Sequence, residues 1–129
     1  MTLNDLHIIL ELLKDCEHPS CSIFAHKLAK SMDVSDDTLK VLMDKPKETK
    51  KDELSTDEEK ISFLIRLVRF LKSEVGAHQE DIKICQEIAR KIGFEEGVIA
   101  ELFLHVYSDP ANILNEDSIS FKVRQYRMA

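Results

Sequence analysis

The sequence has little of what marks several common protein classes. It contains no Trp, and only three Cys, three Gly and three Pro in 129 residues. Three cysteines are too few, and odd in number, for a small secreted disulfide scaffold, and a sparse count of this kind suits a reducing cytoplasm. Positive charge is also short: 18 Lys and Arg stand against 24 Asp and Glu, for a formal net charge of −6. That balance opposes non-specific DNA or RNA binding, which needs cations against phosphates. No apolar run approaches the roughly 20 residues of a membrane span; the longest, Phe63 to Leu71, is broken by Arg66 and Arg69. Residues 1–16 have no basic segment ahead of their apolar stretch and no small-residue cleavage site, so a secretory leader is not expected. A Gly-rich phosphate loop, a Gly-x-Ser-x-Gly elbow and a His-Glu-x-x-His helix are all missing, and no catalytic activity is expected. Disorder is excluded too, because 43% of residues are apolar and both charge signs are well represented.

What is present is helical periodicity. In Leu3 to Asp15 the polar residues Asn4, His7, Glu11 and Lys14 form one narrow stripe, and nearly everything else is apolar. Such a helix is buried over most of its circumference. Ser20 to Met32 is amphipathic, with Ile23, Phe24, Leu28 and Met32 inward and Pro19 at its start. Ser35 caps a short third helix carrying Leu39, Leu42 and Met43. Residues 45–55 are charged, interrupted by Pro46, and read as a linker. Ser55 with Glu58 and Thr56 with Glu59 are overlapping capping boxes opening a long helix, Asp57 to Glu74. A helix from about His78 to Ile92 ends at Gly93, and Glu95 to Ser108 forms another, closed by Asp109-Pro110.

These elements predict an all-α single domain of about six helices. It comprises a first helical half over 1–44, a linker over 45–55, a second half over 56–109 and an extended arm over 110–129. Residues 24–43 laid over 84–103 pair Ala29 with Ala89, Leu39 with Ile99 and Leu42 with Leu102, so each half reads as a buried helix followed by a helical hairpin. The hairpins mimic DNA-reading helix-turn-helix units, but their second helices offer Asp36 and Asp37, or Glu95, Glu96 and Glu101, where phosphates would lie. In the arm, Ile119, Phe121 and Val123 alternate with polar residues. That period of two predicts a strand-like segment, with a short helix as the competing reading, and a partner to satisfy its backbone.

The stretch Phe70 to Phe94, FLKSEVGAHQEDIKICQEIARKIGF, resembles the core of the TerB-like (tellurite-resistance) all-helical family. Matched from Ile92-Gly93-Phe94, Glu74 falls on that family's Asp and Asp81 on its acidic residue seven positions later. Val75 stands where the family has Gly, with Gly76 one place on. The resemblance implies a stress-associated, intracellular domain, some of whose relatives bind divalent metal through acidic side chains. Glu74 and Asp81, with Glu80 and His78 beside them, are then the expected ligands for Ca²⁺ or Mg²⁺. Without a metal, Glu80 and Asp81 simply favour the positive end of their helix.

Cys16, His18, Cys21 and His26 invite a zinc reading, but the two histidines interleave badly with the cysteines. Cys85 reads as core. His7 with Glu11, and Glu101 with His105, are i,i+4 pairs on narrow polar stripes, expected to face solvent. Two functions therefore compete. One is a metal-binding TerB-like domain. The other is a protein-interaction or homodimer module using Ile119, Phe121 and Val123.

Overall fold

The computed structural model describes residues 1–44, 54–73, 79–107 and 116–128. Among them all regular structure is helical, with seven α-helices and one 3₁₀ turn. The all-α expectation holds; the helix beyond the expected six lies in the tail. The chain divides into two compact units, Met1–Glu53 and Leu54–Ala129, and the division falls inside the segment that reads as a linker.

The first unit holds α1 (Leu3–Leu12), α2 (Pro19–Ser31) and α3 (Asp36–Asp44). Thr2 opens α1 with a full capping box: its hydroxyl accepts from the Asp5 amide at 3.1 Å, and the Asp5 carboxylate accepts from the Thr2 amide at 3.0 Å. Pro19 occupies the first turn of α2, where its missing N–H is not needed. The Ser35 hydroxyl accepts from the Thr38 amide at 3.2 Å and starts α3. Leu6, Ile9, Phe24, Leu28, Ala29 and Leu39 are fully buried, each larger one contributing about 2 kcal/mol of apolar burial.

The second unit holds α4 (Asp57–Ser73), α5 (Gln79–Lys91), α6 (Gly97–Tyr107) and α7 (Glu116–Val123), followed by a 3₁₀ turn over Arg124–Tyr126. Thr56 caps α4, accepting from the Glu59 amide at 3.1 Å. Helix α4 packs on α5, α6 and α7 and buries Ile61, Phe63, Leu64, Ile65, Leu67 and Val68. The Lys72 ammonium donates to the Val106 carbonyl in the last turn of α6 at 3.1 Å.

The tail corrects the expectation of an extended arm. Residues 116–123 are α7. Ile119 and Val123 lie four apart, so an apparent period of two over five residues contains the i,i+4 spacing of a helix face, and burial of that face settles the conformation. Extended pairing comes only afterwards. Arg127 forms an isolated antiparallel bridge with Phe94, with Glu95 donating to the Tyr126 carbonyl at 2.7 Å and Met128 to the Gly93 carbonyl at 2.8 Å. Arg124 pairs with Glu58, and Arg127 with Asp57 at 2.9 Å. The Tyr126 ring edge packs tightly against Gly97, 3.0 Å from an added Cβ. The tail is thus fastened across the α5–α6 turn and the head of α4.

The α2–α3 and α5–α6 turns share their hydrogen bonding. Val34 donates to the Ala29 carbonyl at 2.9 Å and Asp33 to Lys30 at 3.2 Å; sixty residues on, Phe94 donates to Ala89 at 2.9 Å and Gly93 to Arg90 at 3.1 Å. Both turns use positive φ, 57° at Asp33 and 100° at Gly93.

Candidate functional site

The expected acidic site is described only in part. Glu74 and His78 lie outside the described residues. Glu80 and Asp81 fall in the first turn of α5, and successive helical positions point about 100° apart. Glu80 is accordingly exposed and Asp81 buried, at 5% exposure, so these two carboxylates diverge. Cys85 sits one turn beyond Asp81, free and buried. Burial first, and the Asp81 charge second, push its thiol well above the usual value. Among the described residues no group of three or more His, Cys, Asp or Glu is placed to hold a metal ion.

The three residues expected to bind a partner are split. Ile119 and Val123 are 4% and 0% exposed and belong to the core of the second unit, whereas Phe121 is 83% exposed. Leu104, on α6, is exposed as well.

The cysteines near α2 depart from expectation. Cys16 and Cys21 form a disulfide, so neither is the thiolate a zinc site needs, and the zinc reading falls. The bond spans the corner between α1 and α2. The intervening His18 is the N-cap of α2: its Nδ1 accepts from the Ser20 amide at 3.1 Å and lies 2.7 Å from the Ser20 hydroxyl. Beside the disulfide is a cavity of about 250 Å³, whose walls include Leu10, Leu13, Lys14, Glu17, Ala25 and Met43. The Cys16-x4-Cys21 spacing alone suits metal ligation; Pro19 starting a helix between the two cysteines is the sign in the sequence that the chain turns there.

The two His–Glu pairs also part company. Glu101 and His105 are half-buried and in contact at 3.3 Å. His7 and Glu11, expected on a solvent-facing stripe, are 8% and 2% exposed. The structure places them, with Asp5, on a helix buried from Asp5 to Leu12.

No helix among the described residues is long and apolar enough to cross a membrane. No family model, curated protein or solved structure matches the chain.

Proposed function

We propose that the chain is a non-catalytic protein-interaction module whose contact surface is centred on Phe121, with a second copy of the chain as its simplest partner. One observation carries this reading: a phenylalanine stands 83% exposed on a short helix whose other large apolar residues are in the core. Ile119 and Val123 fix the helix, and Phe121 is left facing outward. Covering such a ring is worth about 2–3 kcal/mol, and aromatic anchors dominate interface energetics. The test is light scattering on the full chain and on Phe121→Ser, a surface change that spares the core. A dimer that becomes monomeric in the variant supports the reading. Equal monomers for both exclude self-association.

A second reading keeps the TerB-like, stress-associated role with Ca²⁺ or Mg²⁺ as ligand. It is supported by the placement of the Asp81 carboxylate, buried in the first turn of α5, where negative charge meets the positive end of the helix. Calorimetric titration with Ca²⁺, Mg²⁺ and Zn²⁺, repeated on Glu74→Gln/Asp81→Asn, tests it: saturable heat in the native chain and none in the variant is expected. Neither reading involves nucleic acid. Both place the chain in the cytoplasm, where a disulfide is ordinarily transient rather than structural.

A further inference from the structure

We propose that the Cys16–Cys21 disulfide is a thiol–disulfide exchange site, independent of the Phe121 surface, that takes a thiolate through the adjacent cavity. Four observations converge on it.

Both cysteines are only partly covered, and the cavity beside them gives a reagent an approach. The bond closes a loop of just six residues, which restrains the unfolded chain less than a long loop would. Helices α1 and α2 also pack on each other, and Leu6, Ile9, Phe24 and Leu28 are fully buried, so apolar burial holds the unit's shape when the bond opens. Finally, the two sulfurs are unequal. Cys21 is the third residue of α2, at the positive end of a 13-residue helix, whereas Cys16 precedes the helix. A thiolate is favoured at a helix N-terminus, and the sulfur that leaves more readily is the one whose thiolate is better stabilised.

The order of events follows. An incoming thiolate attacks Sγ of Cys16. The Sγ–Sγ bond breaks, and its electron pair stays on Sγ of Cys21, leaving a Cys21 thiolate and a mixed disulfide on Cys16. A second thiolate then attacks the reagent's sulfur in that mixed disulfide and expels Cys16 as a thiolate. Two reagent thiols have become one disulfide, and the chain has gained two electrons and, on protonation of its thiolates, two protons. His18, in the loop between the cysteines, uses Nδ1 as an acceptor for the Ser20 amide; in that tautomer its proton is on Nε2, so the ring is a donor.

Reduced glutathione and dithiothreitol serve as monothiol and dithiol probes on the full, oxidised chain at neutral pH. After an acid quench, the chain is alkylated in denaturant and weighed. Cys85 accounts for one alkyl group in the oxidised chain and the full set of three cysteines for three in the reduced one. The expected result is a gain of two groups with an unchanged helical circular dichroism spectrum. Early in the glutathione reaction, an adduct should form on Cys16 at about tenfold the level on Cys21. Reaction with glutathione identifies small monothiols as the source; reaction confined to dithiothreitol identifies a dithiol. A native chain inert to both, while the urea-unfolded chain is reduced, overturns the proposal, as does an adduct chiefly on Cys21.

Discussion

The α2–α3 and α5–α6 hairpins form the same corner from different residues. Each closes with a six-residue hydrogen-bonded turn, Val34 to Ala29 in one and Phe94 to Ala89 in the other, the pattern that satisfies the last carbonyls of a helix. Around them Leu28 and Ile88, Ala29 and Ala89, and Leu39 and Ile99 are all fully buried. The small alanine lets the second helix cross close to the first. The left-handed position is filled by Asp33 in one and Gly93 in the other, two of the residue types that tolerate it. The third residue of the first helix is Cys21 in one hairpin and Asp81 in the other. One is tied covalently to the preceding segment, and the other is a buried carboxylate. The two hairpins thus share a backbone plan and differ in the side-chain chemistry at one end.

The equivalence can be broken at graded cost. Leu28→Ala and Ile88→Ala should each lose about 3 kcal/mol in urea denaturation, since both remove fully buried side chains; a large loss at only one would show that the hairpins are packed differently. Removing the disulfide with Cys16→Ser/Cys21→Ser should lower stability by about 2 kcal/mol, the entropy expected for so short a loop, with no equivalent in the second hairpin. Raising the pH through and above the ordinary thiol range should weaken the second hairpin. Its buried Cys85 holds its proton when folded and releases it when unfolded, so stability is full below the unfolded thiol's pKa and declines above it, by at most about 1.4 kcal/mol per pH unit. Denaturation of Cys85→Ala across the same range should lack that decline. The turn residues should answer with opposite signs. Gly93→Ala should cost about 1 kcal/mol through strain alone, because nothing among the described residues crowds a Cβ there, whereas Asp33→Gly should be neutral or stabilising by a few tenths. Thermal melts of both variants read this difference.

Much of this plan was legible in the sequence. Caps such as Ser35 and Thr56, the stop at Gly93 and the apolar face of α4 act within a few residues, so spacing alone exposed them. Three features were not legible, each for a physical reason. Ile119, Phe121 and Val123 fit two periods at once over five residues, and only burial against the second unit's core chose between them. His7 and Glu11 looked like a solvent stripe because a helical wheel gives the direction of a side chain but not what lies in that direction. The disulfide depends on the Cα separation of 6.5 Å that the α1–α2 corner creates, a distance within reach of a bridge that no spacing rule supplies. The acidic site remains the least resolved by sequence: Glu80 and Asp81 are neighbours in the chain yet diverge on the helix.

Two glycines four positions apart are required for unlike reasons. Gly93 is set by its own backbone, and its identity is independent of its surroundings. Gly97 is constrained by Tyr126, whose ring edge would meet an added Cβ in tight contact. In any lineage carrying this fold, position 93 should therefore vary alone, among residues that accept a left-handed turn. At position 97 a side chain should be accepted only as far as the ring of residue 126 can shift to make room, so the two positions should be coupled. A tail fastened by such a contact should leave a covariation signature linking two sites 29 residues apart.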